Sequence, residues 1–421
     1  MKNCINCKNK YLKKIIQIGS QPLSGVFLKK KKYNLKKYPL DLFVCQKCKL
    51  IQIAKIPKSN EMFGSKYEYR TSLSKLMADH IGNKAKDLLK KKIADKNSII
   101  LDIGSNDGTF LNKFGKNNNL YGIDPSAKKF KSHYNKNIKI IFNYFTKKNI
   151  EKFTKKKISF NIISSFAMFY DVSDPNAFCA DIKKLLTKDG VWILELSYLP
   201  LLLKNLSYDQ ICHEHVAYYS LSVFKKIIEK QGLKIIDFTL NEINGGSIEI
   251  ICSKKNSKHK EKKAKILKIL RDEKRIDKNS FINFNRRVKN IKSLLQMFLK
   301  LKSKKHIIAY GASTKGNIVL NHCKVHNRQI KEICDGSRKK ISKYTPGTNL
   351  KIISKETMRK KRPDYLLVLI WSFRREVIQQ EIKFLQNGGK LVFLLPKFHI
   401  VNKENFKKYI KSSFKSLSYE Y

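Results

Sequence analysis

Three sets of residues in this 421-residue chain have types and spacing that suit chemistry. Cys4 and Cys7, then Cys45 and Cys48, form two Cys-x-x-Cys pairs. Each pair can place two thiolates on one ion, and the four together make the closed set of structural zinc, with no open position for a substrate. A redox pair or a metal-free relic is the other reading. The second set is the run IILDIGSNDGTF over residues 99–110, followed by LYGID, which ends in Asp124. Gly104 and Gly108 let backbone approach a ligand, and Asp124 can accept both hydroxyls of a ribose. The spacing Gly-x-x-x-Gly is not the dinucleotide Gly-x-Gly-x-x-Gly. It suits an adenosine with an amino-acid tail, which favours S-adenosylmethionine (SAM) over NAD; a turn that merely joins strand to helix is the plainer alternative. The third set is YDQICHEHVAYYS, residues 208–220. Its histidines, His213 and His215, stand two apart and so do not form the His-Glu-x-x-His metal motif. As a loop it offers a general base, an orienting carboxylate in Glu214 and the phenols of Tyr218 and Tyr219. A satisfied structural cluster at a turn is the alternative.

Weaker signals surround these. Tyr67, Tyr69, Ser72 and Ser74 could lid a pocket or simply pack. Asn244-Gly245-Gly246-Ser247 reads equally as a turn or an anion-binding nest. Gly311-Ala312-Ser313-Thr314-Lys315-Gly316 opens a helix whose backbone amides, with Lys315, suit a phosphate; it is no Walker motif, and a structural turn is the alternative. Trp371, Arg374 and Arg375 are candidates for the same cleft.

The elements that must position these groups follow from hydrophobic periodicity. IILDIG, LYGID, IKIIF, FNIISS, GVWILEL, LKIIDF and SIEIICS are strand candidates interleaved with helical spacing. That alternation predicts a mostly parallel sheet covered on both faces, with the last two strands as an antiparallel edge. The expected organisation is a zinc-binding domain over 1–57, a helical connector and lid over 58–97, a SAM-dependent methyltransferase domain over 98–254, a Lys-rich helical linker over 255–304, and a C-terminal Rossmann-like domain over 305–421. The fold class is α/β: a central class I methyltransferase Rossmann-like sheet, flanked by the small zinc-binding domain and a second Rossmann-like domain.

A formal charge of +56 ordinarily points to nucleic acid or an anionic membrane. Lysine, however, supplies 78 of the 89 basic residues, whereas base-reading surfaces rely on arginine forks. The lysines are spread among abundant Asn and Ile, which reads as compositional bias on solvated faces. No nucleic-acid and no membrane partner is expected, although a positive surface draws in a nucleotide diphosphate. No apolar run reaches 18 residues and the first residues lack a signal-like apolar core. The other five cysteines, Cys179, Cys212, Cys252, Cys323 and Cys334, are scattered, so a reducing cytoplasm is the expected location.

Taken in order, CxxC…CxxC, YxYxxS, DIGSNDGTFL, GIDPS, HEHxxYYS, NGGS, AYGASTKGN and YTPGT resemble the sugar C-methyltransferases, over nearly the whole chain. The resemblance implies methyl transfer to a carbon of a nucleotide-linked deoxy keto sugar, held between domains, and it implies that the C-terminal Rossmann-like domain over 305–421 binds substrate. It implies zinc at Cys4, Cys7, Cys45 and Cys48. Asp102, Gly104, Asn106 and Asp124 match the SAM loop and ribose acid, and the expected cofactor set extends to Ser105, Asp107, Pro125, Phe145 and Ser165. Tyr69 matches a tyrosine beside the sugar. Glu214 and His215 match pocket residues, with His215 the base, and His213 and Tyr218 complete the expected catalytic set. Tyr67, Ser72, Gly246, Ser247, Ser313, Lys315 and Asn317 are the expected substrate contacts. Two positions depart from the family pattern: Cys212 stands for a tyrosine, and Met168, after Ala167, stands for a histidine. N- or O-methylation of an activated sugar or related small acceptor is the alternative activity.

Overall fold

Unbroken apolar runs become strands buried on both faces. Every residue of Ile99–Ile103 after the first is buried, as are the last eight of Leu186–Ser197. In the computed structural model, which describes residues 3–57, 61–62 and 70–413, these strands join a seven-stranded sheet. Tyr67 and Tyr69 lie outside the described residues. The spatial order is Leu233–Asn241, Ser247–Lys254, Leu186–Ser197, Phe160–Phe166, Ile99–Ile103, Asn119–Ile123, Ile138–Ile141. Ser247–Lys254 pairs antiparallel with both its neighbours, and the remaining pairs are parallel. Asp102 sits level with Gly122 on one side and Ser164 on the other, so the carboxyl ends of three strands share one rim. Ligands of open α/β sheets bind there.

The helices that cover the sheet begin at side-chain caps. Asp174 accepts from the amides of Asn176 and Ala177 ahead of Pro175–Leu185, and Ser220 caps Leu221–Lys230. The Lys-rich linker forms a helical pair, Lys263–Glu273 and Lys278–Leu301, the second opened by a reciprocal Asp277/Ser280 capping box. A second, six-stranded sheet follows, ordered Lys351–Ser354, Glu332–Asp335, Ile307–Tyr310, Tyr365–Val368, Lys390–Phe393, His399–Val401, and only its last pairing is antiparallel.

The parts share cores rather than sitting apart. One cluster joins Ile16, Leu42 and Ile51 of the N-terminal segment to Leu202, Phe284 and the six-stranded sheet. Another joins Cys4, Ile5, Cys45 and Leu50 to the seven-stranded sheet. The N-terminal sheet itself is antiparallel, in the order Leu12–Ile16, Leu42–Cys45, Ile51–Ile53, Ala217–Tyr218. Its fourth strand therefore comes from the segment immediately after His215. Polar contacts fix the C-terminal sheet to the rest. The Trp371 indole donates to Asp209 at 2.9 Å, Lys315 Nζ to Asn244 Oδ1 at 2.9 Å, and the Asn317 amide to the Ser24 carbonyl at 2.7 Å. Among the described residues no helix is long and apolar enough to cross a membrane.

Gly245 marks the tightest point of this docking. Its φ is +85°, and a Cβ there would lie 2.6 Å from the Trp371 ring. Left-handed backbone and an overpacked contact act together, so Gly245→Ala should cost about 2 kcal/mol or more. Thermal unfolding followed by circular dichroism checks this: the variant should melt several degrees lower.

Candidate active site

A cavity of about 460 Å³ opens at the rim of the seven-stranded sheet. Asp102, Gly104, Ser105, Asn106, Asp124, Pro125 and Phe145 line it, and so do Tyr144, Met168, Asp171, Phe178 and Glu195. The Asp124 carboxylate is fixed by the Asn106 amide at 3.0 Å and by the Ser126 amide and hydroxyl, each at 2.6 Å. Gly104 has φ +73°, and a Cβ there would come within 3.2 Å of Met168 Cγ, so bare backbone faces the cavity. Gly108 behaves differently. A Cβ on it would strike the Tyr134 ring at 2.8 Å, so packing, not ligand approach, demands that glycine.

Among the described residues the cavity wall holds four carboxyls and, although the chain carries 78 lysines, no basic side chain. Burial pushes the Asp102 carboxyl up to about 7; the Ser164 hydroxyl, donating at 2.7 Å, opposes this, while Asp124 and Asp107 add to it. Glu195 is held the other way. Burial raises it, but the His80 ring at 2.9 Å and the Lys84 ammonium at 2.9 Å outweigh burial and bring it to about 2. Pro125, Tyr144, Phe145 and Phe178 give the wall an apolar flank, and the acids beside it suit a cationic ligand better than an anionic one.

Behind Asp171 lies the loop of His213, Glu214 and His215. The His215 ring packs against Tyr170 with centroids 4.1 Å apart, and the Val216 amide donates to the Tyr170 carbonyl at 2.8 Å. His215 is buried and its Nδ1 has no hydrogen-bond partner. Burial and the Lys315 charge bring its imidazole down to about 3, against a hydrogen bond to the Gln210 carbonyl, so it is neutral at physiological pH. Glu214 does not orient it: Glu214 Oε2 is also without a partner, and Oε1 points toward Gly25 and Thr314, 2.8 Å from where a Gly25 Cβ would stand. His213 turns away to the Tyr38 carbonyl at 3.2 Å, and burial lowers it to about 4. Tyr218 donates to the Gln210 carbonyl at 3.3 Å, and the Tyr219 hydroxyl is buried without a partner. Lys315 reaches this group from the other sheet; burial lowers its ammonium and Asp209 partly restores it.

Other expected residues have structural partners instead. Ser165 lies outside the cavity and accepts from the Trp192 indole at 2.9 Å. Asp107 accepts from the Ser72 amide at 3.0 Å, and Asn106 from the Thr71 amide at 3.0 Å, so both tie down the turn before the helix Lys75–Lys90. Ser72 itself is exposed. Ser313 caps the helix Thr314–His322 through the Gly316 amide, and Asn317 holds the Ser24 carbonyl. Gly246 would collide with Leu201 if it bore a Cβ, and Ser247 donates to the Ile243 carbonyl, so this stretch is a packed turn. Sequence reading passed over Glu195 although it carries the same signal as Asp102 and Asp124, an acid ending an apolar strand. For Asp171 no such signal exists.

The four cysteine sulfurs lie within 4.8 Å of one another, with no disulfide among them. The two knuckles have the same shape. The amides of Lys8 and Lys49 donate to the carbonyls of Cys4 and Cys45, each at 3.0 Å, with φ of 59° and 64°. Four thiols converging from twin turns fit structural zinc.

Family models match three stretches of the chain: a zinc-binding domain over residues 4–63, a methyltransferase domain over 74–237 and a C-methyltransferase C-terminal domain over 242–396. The chain is 26% identical over 400 residues to the C-methyltransferase NovU of Streptomyces niveus, spanning 93% of this chain and 94% of that protein. Among solved structures, magnesium protoporphyrin IX methyltransferase of Synechocystis with bound SAH matches at 11% identity and TM-score 0.33, covering 42% of this chain and 83% of that one. The N-methyltransferase NodS of Bradyrhizobium japonicum matches at 14% identity and TM-score 0.30, over 41% and 94%.

Two outcomes follow. Cys48→Ser should abolish stoichiometric zinc, read by elemental analysis, and lower the melting temperature, since metal binding is folding free energy for such a domain. SAM affinity should stay within about threefold, because the cavity takes no lining residue from 3–57, yet methyl transfer should collapse with the loop that sheet supports. The second concerns pH. Asp102 is raised in the folded state, so what it contributes to the free protein is complete below the ordinary carboxylate range and lost as pH climbs through about 7. Calorimetry between pH 5.5 and 7.5 should find the free protein less stable and SAM bound more tightly as pH rises, by up to about tenfold per unit below 7. Asp102→Asn should flatten both trends.

Proposed function

We propose that this chain, a SAM-dependent C-methyltransferase, methylates a carbon next to the keto group of a nucleotide-linked deoxy sugar, with His215 as general base. Bound in the cavity, SAM supplies an electrophilic methyl group on sulfur. A sugar carbon becomes a nucleophile only when a neighbouring ketone acidifies its proton and a base removes it. The observation that carries the reading is the bare Nδ1 of His215, a buried neutral imidazole held against Tyr170 beside the cavity wall. The proton would pass from the carbon to this nitrogen. The electron pair would go first to the keto oxygen and then into the new carbon–carbon bond, while the sulfur–methyl bond would break with its pair left on sulfur, so that S-adenosylhomocysteine is the leaving group. Lys315, half-buried across the domain boundary from His215, supports binding of an anionic acceptor; its ammonium has three donors and Asn244 takes one. The net positive surface favours arrival of a diphosphate.

His215→Ala should keep SAM affinity and lose about 10²–10⁴-fold in turnover, the usual worth of a positioned base. Carbon NMR of the product should show a new C–CH₃ signal. A methoxy or N-methyl signal, or unchanged turnover, would overturn the assignment.

A further inference from the structure

Among the described residues Asp171 is the cavity-lining carboxyl that also faces the His213–His215 loop. It ends the short turn Phe169–Asp171 after the strand Phe160–Phe166, and its amide is fixed to the Met168 carbonyl at 3.0 Å. The residue keeps part of its surface on the cavity, while Oδ1 is sealed from solvent with no hydrogen-bond partner. The backbone bond from Val216 to Tyr170 clamps this turn to the loop that carries His215. A sealed acceptor atom on a cavity wall is a cost that a ligand group is placed to relieve.

The groups around it decide its protonation. Glu214 faces it, half-buried, with one oxygen sealed and unpartnered. Cys212, Tyr218 and Tyr219 feel its charge from the same loop and the strand that follows, and burial raises all three, so none brings a positive charge. Two carboxyls that each seal an oxygen from solvent and meet without a cation cannot both ionise cheaply. Burial and the Glu214 charge accordingly push Asp171 well above the usual carboxylate range.

We propose that Asp171 is a further catalytic residue, whose protonated carboxyl donates a hydrogen bond to the acceptor oxygen on which negative charge builds while His215 removes the neighbouring carbon-bound proton. This rests on the enolate reading above. No proton leaves Asp171. The C–H bond breaks toward His215, charge moves to the oxygen, and the carboxyl stabilises it until the carbon–carbon bond forms and the charge is gone. A neutral carboxylic acid in a sealed site can serve such an oxygen where a carboxylate would repel it.

The test is exchange of the acceptor's acidic C–H in D₂O, followed by proton NMR, with a thymidine-diphosphate 4-keto-6-deoxyhexose and S-adenosylhomocysteine, which cannot donate a methyl group. The wild-type enzyme should exchange this proton, and the rate should fall at high pH as the carboxyl ionises. Asp171→Ala should exchange about 10²–10³-fold more slowly, the usual loss for one such donor. Its SAM affinity, read by calorimetry, should stay within about threefold and attest that the variant is folded. Asp171→Asn, whose amide donates but does not ionise, should recover at least a tenth of the rate and lose the alkaline fall. Exchange by Asp171→Ala at the wild-type rate would overturn the role of Asp171 alone. So would an alkaline fall that persists in Asp171→Asn, or SAM binding lost in step with exchange. Absence of exchange by the wild-type enzyme would overturn the enolate reading, and the Asp171 role with it.

Discussion

The arrangement depends on a strand of two residues. Ala217–Tyr218 is too short to hold itself, and it is ordered because Ile51 and Gln52 pair with it as the neighbouring strand of the N-terminal sheet. Gln52 carries the constraint further, since its side chain accepts from the Ile5 amide at 2.9 Å, inside the first cysteine knuckle. The second knuckle closes directly before Ile51, with the Cys45 amide bonded to the Leu50 carbonyl. The four-cysteine cluster therefore lies two steps of hydrogen bonding from the loop that carries His215. A closed metal site would take no part in chemistry, yet closing it would brace the strand that holds this loop.

The same loop is fixed from two further directions. Tyr170, in the turn after the strand Phe160–Phe166, takes the Val216 amide and packs its ring tilted against His215, while Asp209 takes the indole of Trp371 from the C-terminal part. Each of the three parts thus holds the loop from one side, and shared hydrophobic cores leave none of them free to pack alone. Charge is sorted along with position. Lysines are spread along the chain, whereas acids collect at the sheet rim, and the half-buried cation Lys315 stands beyond them near Asp209 and His215. The inner wall thus carries acids and the outer end a cation.

Much of this was legible in the residues because local rules governed it. The cysteine spacing, the acid-ended apolar runs and the alternation of strand and helix each specify a neighbour close in sequence. The parts that were not legible depend on neighbours far along the chain. Glu214 reads as the partner of His215 because the two are adjacent, but successive loop residues diverge, and the carboxyl turns toward Gly25. Ser165 and Ser164 are consecutive on one strand and so point to opposite faces, one toward the Trp192 indole and the other toward Asp102. Gly108 reads as a ligand-facing glycine until Tyr134, 26 residues on, is found against it.

The two departures from the family pattern act through this geometry in different ways. Met168 is on the cavity wall, beside Gly104, so a thioether replaces whatever polar contact a histidine would make to a ligand. Cys212 is sealed under the loop, its thiol raised by burial and by the Glu214 charge, so it stays neutral and offers only a weak donor. Both changes put weak donors where the sugar C-methyltransferases that the chain resembles carry strong ones. On the enolate reading proposed above, a developing oxyanion still requires one, and among the described residues the cavity wall has few candidates. Glu195 is ionised and engaged by His80, Lys84 and Asn241, and Asp124 is engaged by Asn106 and Ser126. Asp102 is raised to about 7, but it accepts from the Ser164 hydroxyl. Asp171 stands three residues beyond Met168 with a sealed oxygen that has no partner, and on the enolate reading proposed above it is the wall carboxyl left to serve the oxygen.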